Sequence, residues 1–198
     1  MPAGPAEHAV EDPLDGVLAR ARRGDDAAFH TLWTALQPRL LRYLRIKARD
    51  VAEDVAAETW LQVVRDLDRF DGDAADFRAW LFTIGRNRAV DAARARTARP
   101  VHLVADPVES ATDHADSAET VAMERLSTAA ALAMVRSLPA EQAELIALRV
   151  VAGLEVAAVA RIVGKSPGAV RVAVHRALRT LSKVATASAV DDFSVKVM

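Results

Sequence analysis

A short helix, a glycine turn and a second helix are encoded near the C-terminal end of the sequence. Glu155 to Val163 repeats apolar residues at helical spacing, and Gly164 follows directly, a residue type that commonly ends helices. Ser166 suits the N-cap and Pro167 the first turn of the next segment, whose apolar residues continue at helical spacing to Leu181. This order predicts a helix-turn-helix unit.

The second helix of such a unit normally lies in the major groove of DNA. Between positions 161 and 183 the chain carries six basic residues and no acidic one. Arginine can bind guanine through two hydrogen bonds, and either base type can hold phosphate. The predicted DNA contacts are Arg161, Lys165, Ser166, Arg171, His175, Arg176 and Arg179. The alternative is a helical hairpin with a solvated basic face.

The charges are segregated along the chain, although the net charge of -1 argues against coating nucleic acid through bulk charge. Residues 50–76 hold nine acids and two bases, whereas residues 85–99 hold five bases and one acid. Residues 100–124 hold six acids and neither Lys nor Arg. Two basic segments separated by an acidic one predict two nucleic-acid contacts with another function between them.

Capping residues divide the N-terminal part into helices. Asp25 or Asp26 can cap a first helix, Pro38 can begin a second, and Asp50 with Glu53 resembles the capping box of a third. These three helices carry regularly spaced Leu and Val residues that would form one face of a core.

A loop and a fourth helix follow. Residues 70–76 (FDGDAAD) predict the loop, and Asp76 is the predicted cap of a helix that continues to about Arg99. Gly85 within this helix predicts a close helix crossing, because glycine otherwise costs a helix about 1 kcal/mol. Asn87, Asp91 and Arg94 would continue the stripe of Trp80 and Ile84, part of which faces the core. Asp91 and Arg94 could simply pair with each other.

A linker separates this helical set from the C-terminal one. Residues 100–116 are acidic and lack periodicity, while Asp116 with Glu119 offers a second capping box and Pro139 a later helix start. The predicted fold is all-α, with two small helical domains joined by a flexible acidic linker. The C-terminal domain contains the helix-turn-helix.

Several function classes lack support. The chain has no cysteine, and its histidines show no metal-ligand spacing (His8, His30, His102, His114, His175). Asp54 and Glu58, at positions i and i+4, lack a third ligand and fit a solvated or protein-binding face better than a metal site. No phosphate loop or nucleophile motif is present. The sequence therefore predicts no metal, no cofactor and no catalytic residue, and an enzyme has no motif in its favour.

No signal peptide and no apolar run long enough for a bilayer span are evident. We therefore expect a cytoplasmic protein without direct membrane insertion.

Three ordered motifs carry a resemblance to a known family. They are AEDVAAETW at Ala52–Trp60, WLFTIGRNRAVDAARAR at Trp80–Arg96, and a longer one at Ser137–Leu178. Together they resemble a bacterial RNA polymerase sigma factor of the extracytoplasmic-function (ECF) group. The resemblance covers roughly residues 14–184. Ala57, Val159 and Ala169 depart from the residues that are common in the family, which are Gln, Glu and Thr.

The resemblance implies a function in promoter recognition. Asp54, Glu58 and Trp60 would bind the clamp of core RNA polymerase, and the loop would help to capture a flipped base of the minus-ten element. The implied minus-ten contacts are Asp71, Asp73, Trp80, Arg86, Asn87, Arg88, Asp91, Arg94, Arg96 and Arg99. The acidic linker would thread polymerase channels, and the helix-turn-helix would bind the minus-thirty-five element. Such a factor would direct promoter recognition, DNA melting and initiation, in response to stress or an external signal.

The resemblance also implies partners and boundaries. The partners are promoter DNA, the clamp and flap of core polymerase, and an anti-sigma factor. The segments are a disordered tail at 1–13, region 2 at 14–99, the linker at 100–116, region 4 at 117–184 and a tail at 185–198. The remaining alternative is a stand-alone helix-turn-helix regulator whose N-terminal half senses a signal or dimerises.

Overall fold

The computed structural model describes residues 12–98, here called the N-terminal half, and residues 128–195, the C-terminal half. Both described ranges are helical and contain no strand, which confirms the predicted all-α class. The predicted linker, the Asp116–Glu119 capping box and Arg99 lie outside the described residues.

Four helices form the N-terminal half. They are α1 (Asp15–Ala21), α2 (Asp26–Lys47), α3 (Ala52–Asp66) and α4 (Ala74–Ala98), with single 3-10 turns on either side of α3, at Arg49–Val51 and Leu67–Arg69. Asp25 is the cap of α2, as one of the two predicted alternatives, because its carboxylate accepts a 3.0 Å hydrogen bond from the Ala28 amide.

The predicted break at Pro38 is wrong, because α2 continues through this residue as one helix. Proline removes one backbone donor and usually kinks a helix. Here Leu36 and Leu40, on either side of Pro38, are buried in the core. Tertiary packing on both sides of Pro38 therefore outweighs the cost of the missing hydrogen bond.

Two predicted caps are also wrong. Val51, not Asp50, is the N-cap of α3 and makes no side-chain cap bond, while Glu53 accepts a 3.0 Å hydrogen bond from Arg45 on α2. The cap of α4 is Asp73 rather than Asp76, since the Asp73 carboxylate accepts from the Asp76 amide at 2.8 Å. The predicted loop is accordingly shorter, because Ala74 is already helical.

The predicted close crossing at Gly85 is confirmed. A Cβ atom at this position would lie 3.0 Å from Leu40 Cδ1 and 3.6 Å from the Thr59 hydroxyl. Glycine therefore lets α4 pack directly against α2 and α3. Beside this crossing, the rings of Tyr43 and Phe82 meet edge to face, with 5.5 Å between their centroids.

The C-terminal half consists of α5 (128–136), α6 (Ala140–Ile146), a π-helical turn (Ala147–Val151), α7 (Val156–Val163) and α8 (Pro167–Val195). Pro139 is the N-cap of α6, so the helix begins at Ala140, one residue after the predicted start. Helix α8 extends into the predicted C-terminal tail, residues 185–198. That segment contains no Gly or Pro that would end the helix.

The helix-turn-helix is formed by α7 and α8. Gly164 has a φ of 68°, in the left-handed region that favours glycine, and ends α7. Ser166 caps α8 by accepting a 3.2 Å hydrogen bond from the Ala169 amide. The predicted turn is confirmed residue by residue, because its three signals (Gly, Ser and Pro) act locally.

The two halves pack against each other. Helix α4 contacts α7, and α2 contacts both α6 and the π-helical turn. Buried residues of both halves belong to one apolar cluster. A groove of about 910 Å³ remains between them, lined by Ile46, Ala89 and Ala143 among others.

Candidate polymerase and nucleic-acid interfaces

The exposed face of α8 is cationic. Val170 and Ala177 are fully buried and hold the helix on the rest of the C-terminal half. Arg171, His175 and Arg179 recur at intervals of four residues and, like Arg176, are exposed. In the described part of the chain none of these four side chains forms an ion pair, so they are available to phosphates and base edges.

Val172 on the same helix was not among the predicted contacts. Its side chain is 51% exposed, directly after Arg171 and one turn before Arg176. An apolar side chain at such a place suits the methyl group of thymine in the major groove. Its exposure could have been predicted from the sequence, because position 172 lies off the stripe that contains Val170 and Ala177.

The remaining predicted residues of the helix-turn-helix already have partners. Arg161 lies 3.5 Å from Asp76 of α4, and Lys165 lies 2.8 Å from Glu141 of α6. The Ser166 hydroxyl serves the α8 cap. These side chains would have to exchange their present contacts in order to hold DNA.

The basic residues of α4 are similarly paired. Arg86 donates to Glu144 at 2.7 Å and Arg88 to Gln62 at 2.9 Å. Arg96 lies 3.9 Å from Asp50. The contact between Arg96 and Asp50 is the longest of the three and joins two exposed side chains, so solvent and salt screen it.

Part of the predicted stripe on α4 faces the core, since Ile84 is buried and Trp80 half-buried. Asn87, Asp91 and Arg94 are exposed, whereas the buried positions include Phe77, Leu81 and Ala89. The stripe therefore faces the core at Ile84 and solvent from Asn87 onward. The alternative that Asp91 and Arg94 pair is confirmed, with 3.6 Å between their charged groups.

An aromatic group supports the loop before α4. The rings of Phe70 and Trp80 stack with 4.9 Å between centroids, and Phe77 meets Phe70 edge to face at 5.6 Å. Trp80 is half-buried in this group. Asp71 projects from the loop with a 98% exposed side chain that lies 3.6 Å from Arg22, while the Asp73 carboxylate accepts the cap bond of α4.

One face of α3 combines acids with exposed apolar residues. Asp54 and Glu58 are exposed one turn apart, as predicted for a protein-binding face. Leu61, which was not predicted, and Val64, which was counted among the apolar positions of this helix, follow at helical spacing with exposed fractions of 64% and 56%. Adjacent acids and exposed large apolar side chains are typical of a surface that a partner covers.

Trp60 does not belong to that face. It is 7% exposed and donates a 2.7 Å hydrogen bond from its indole nitrogen to Gln37, with Phe29 against its ring edge at 5.8 Å. The predicted direct contact of Trp60 with polymerase does not fit this burial. Its indole instead fixes α3 against α2.

Among the titratable groups of the described residues, two have displaced pKa values. Burial, and secondarily the Glu144 carboxylate, raises the pKa of the Tyr43 hydroxyl far above its ordinary value. Burial also acts to raise the pKa of Asp12, but hydrogen bonds from the Leu14 amide and Arg78 outweigh it and leave that pKa below its ordinary value. The distance between Asp12 Oδ2 and Arg78 Nη2 is 2.6 Å.

Within residues 12–98 and 128–195, no helix could cross a membrane and no cluster of His, Asp and Glu could hold a metal ion.

The helix-turn-helix has a cationic face that forms no ion pair with any described residue, and the other half has an acidic, partly apolar face. Together they define a DNA-binding protein that also docks on a protein. Comparison with known families makes this class specific. Residues 32–99 match the Sigma-70 region 2 family and residues 128–181 match the Sigma-70, region 4 family. The chain belongs to the ECF sigma factors, DNA-binding transcription initiation factors that give RNA polymerase its promoter specificity.

Relatives cover most of the chain. It is 35% identical to the ECF RNA polymerase sigma factor BldN of Streptomyces coelicolor over 85% of its length, but spans only 64% of that relative. It is 33% identical to the ECF sigma factor ShbA of Streptomyces griseus, covering 87% of this chain and 95% of the relative.

A solved structure shares the fold. The structure of CnrH in complex with the cytosolic domain of CnrY is similar with a TM-score of 0.62 and 26% identity, over 89% of this chain and 99% of the other.

Proposed function

We propose that this sigma factor divides its contacts between three surfaces. The α3 face around Asp54 and Glu58 binds the polymerase clamp, with Leu61 and Val64 as its apolar anchors. The loop at 70–73 and α4 bind the minus-ten element. The N-terminal part of α8 reads the minus-thirty-five element, with Arg171 and Arg176 against base edges.

The observation that carries the proposal is the unpaired cationic face of α8. Among the described residues its arginines are exposed and have no carboxylate partner, while Val170 and Ala177 are buried against the C-terminal half. A recognition helix must present side chains in this way before it enters the major groove. The acidic face of α3 adds a surface that repels DNA and therefore suits a protein partner.

We also propose boundaries for the two sigma regions and the linker between them. Region 2 occupies 14–99, the linker 100–116 and region 4 117–184, and both family matches fall inside these limits. The protein acts in the cytoplasm, where core polymerase and promoters are found, and contributes no catalytic residue of its own.

We also propose that an anti-sigma factor regulates this chain. The similar structure of CnrH was solved in complex with the cytosolic domain of CnrY, which supports an intracellular protein partner for the fold. An external or stress signal would then act by releasing the sigma factor from that partner.

In vitro transcription tests the proposal. Core polymerase with this protein should start a defined transcript on a cognate promoter, and core polymerase alone should not. A stand-alone regulator would instead bind its operator tightly without polymerase and would start no transcript. Absence of any defined transcript on promoters selected from the source genome would refute the proposed function.

A further inference from the structure

The loop before α4 is held by residues that lie much earlier in the chain. The backbone amide of Ala74, the first residue of α4, donates a 2.7 Å hydrogen bond to Oδ1 of Asp15, 59 positions away. The first amides of a helix have no partner within the helix and need one from elsewhere. Asp73 supplies an acceptor for the Asp76 amide, and Asp15 supplies one for Ala74. The start of α4 therefore depends on a carboxylate of α1.

A second carboxylate of the same segment holds α4 one turn further on. Oδ2 of Asp12 lies 2.6 Å from Nη2 of Arg78, and the two side chains are only 27% and 18% exposed. The other oxygen of Asp12 accepts a 3.0 Å hydrogen bond from the Leu14 amide. The Asp12 amide in turn donates to Oδ2 of Asp15 at 3.1 Å. Asp12 and Asp15 thus belong to one hydrogen-bonded network that binds the first two turns of α4.

A third contact reaches the exposed side of the loop. Nη2 of Arg22, the residue after α1, lies 3.6 Å from Oδ1 of Asp71. The Asp71 side chain is almost fully exposed, so solvent screens this attraction and makes it the weakest of the three contacts. Together the contacts reach the loop at 70–73 near its beginning and directly beyond its end.

Helix α1 is itself fixed by apolar packing. Leu18 and Ala21 are buried in the core, and α1 contacts α2. Asp15 lies one turn before Leu18, so the burial of Leu18 also places the Asp15 carboxylate. Residues 12–22, here called the strap, precede residue 32, where the match to Sigma-70 region 2 begins. The contacts of the strap are therefore additional to the part of region 2 that the family match covers.

We propose that the strap fixes the loop at 70–73 in the conformation that receives the flipped base of the minus-ten element, with Asp15 as the positioning residue. This inference rests on the proposed function of that loop. Extruding a base from the duplex costs free energy that contacts with the loop must offset. A loop that is already ordered loses less conformational entropy when it binds, so more of its contact free energy is available for the base.

A fixed loop also discriminates more strongly between bases. Discrimination is the difference between the binding free energies of the correct and the incorrect base. A loosened loop can adapt to an incorrect base, whereas a fixed loop leaves polar groups without partners when the base is wrong. Loss of the strap should therefore reduce discrimination at the flipped position. Reading of the minus-thirty-five element by α8 should be unaffected.

Asp15→Ala tests the strap in the full chain. The substitution removes the acceptor of the Ala74 amide and leaves the buried residues of α1 unchanged. Amide hydrogen exchange followed by mass spectrometry should show faster exchange in a peptide that covers residues 70–76. Exchange in peptides from α2 should stay as in the unmodified chain.

Reconstituted holoenzyme measures the effect on promoter choice. The ratio of transcript from a cognate promoter to transcript from its single-base minus-ten variants should fall by about tenfold at one position. This is the order expected when a hydrogen bond to a charged group is lost. The corresponding ratio for single-base minus-thirty-five variants should stay within about twofold, because that element is read by a distant helix. A variant that is merely less stable would lose transcript from all promoters alike.

Asp26→Ala is the matched control. Asp26 is the exposed first residue of α2, as Asp15 is the first residue of α1. Among the described residues the Asp26 side chain has no hydrogen-bond or ion-pair partner. The control therefore removes the same charge without a contact to the loop, and discrimination should stay within about twofold of the unmodified chain.

Asp15→Asn is the conservative variant. It has one acceptor oxygen for the two amides that Asp15 binds, so it should show a smaller but measurable loss of minus-ten discrimination. Thermal melting followed by circular dichroism identifies a misfolded variant. If Asp15→Ala does not fold, Asp15→Asn takes its place, and minus-ten discrimination equal to that of the unmodified chain then counts against the strap.

The outcomes separate this inference from the proposed function. If the unmodified chain starts promoter-specific transcripts but folded Asp15→Ala keeps its minus-ten discrimination, the strap is refuted and the function stands. An equal loss in Asp26→Ala, or an equal loss at both promoter elements, also refutes the strap. If the unmodified chain never supports transcription, the proposed function fails and the inference fails with it, whatever the exchange data show.

Discussion

The indole of Trp60 donates a 2.7 Å hydrogen bond to the side-chain oxygen of Gln37 and so joins α3 to α2. The acidic face of α3 is carried by the same helix. Trp60 therefore stabilises the fold that presents this face and is not part of the face itself.

Trp60→Phe tests this structural role. The substitution keeps an aromatic ring in the core but leaves the partly buried Gln37 oxygen without its donor, which should cost about 1–3 kcal/mol of unfolding free energy. Urea unfolding followed by circular dichroism measures the loss. At temperatures where the variant is folded, its affinity for core polymerase should stay within about twofold of the unmodified chain. A large loss of affinity without a loss of stability would instead favour direct contact by Trp60.

Charge reversal on α3 tests the clamp surface. Asp54→Lys combined with Glu58→Lys should weaken core binding by at least about tenfold in a fluorescence titration, because charge complementarity across an interface is replaced by repulsion. Leu61→Ala should weaken it separately by removing an apolar anchor. Glu53→Lys is the control on the same helix, since its carboxylate bonds Arg45 instead. Unchanged affinity in the double variant would count against this surface.

The pairing of Asp12 with Arg78 predicts a pH dependence. The pKa of Asp12 is lowered from its ordinary value in the folded chain, so the folded state binds this proton less readily than the unfolded state. The stabilisation is therefore present above the unfolded-state pKa and is lost as the pH falls through the folded-state pKa. Asp12→Asn should lower the free energy of unfolding at pH 7. It should also reduce the difference in that free energy between pH 7 and acidic pH. Parallel urea titrations at both pH values measure it, and an equal acid response in both proteins would contradict the assignment.

Two glycines should respond to alanine for different reasons. At Gly85 a Cβ would press on Leu40 at 3.0 Å, so Gly85→Ala should destabilise region 2 by about 1–3 kcal/mol through overpacking. At Gly164 nothing lies within 4 Å, but the φ of 68° makes Gly164→Ala cost about 1–2 kcal/mol through the backbone. Gly16→Ala, in open space within α1, is the control and should be neutral or stabilising. Thermal melts of the three variants compare them.

Local signals predicted the helix-turn-helix better than they predicted region 2. Gly164, Ser166 and Pro167 determine their turn by their own backbone preferences, so neighbouring packing did not alter the outcome. Pro38 and Asp50 carry equally clear local signals, yet burial of Leu36 and Leu40 keeps α2 continuous and α3 begins without the predicted box. Tertiary packing, which a single sequence does not display, decides such cases.

The same limit applies to the site. Exposed residues of α8 follow from one helix and were predictable, whereas the burial of Trp60 depends on α2 and was not. The contact between Glu144 and Arg86 joins positions 58 residues apart. No spacing rule within one helix could indicate it.

The recognition helix offers the most specific prediction. Arg176→Ala should weaken binding to the minus-thirty-five element by about 1–3 kcal/mol at one base position, the value of a two-bond contact to guanine, and leave core binding intact. Val172→Ser should reduce a preference for thymine at a neighbouring position by removing an apolar contact with its methyl group. Arg179→Ala, farther from the helix N-terminus, should weaken all sequences alike. Selection from a randomised minus-thirty-five element with reconstituted holoenzyme distinguishes these cases. An unchanged base preference in both Arg176→Ala and Val172→Ser would show that α8 contacts only the phosphate backbone.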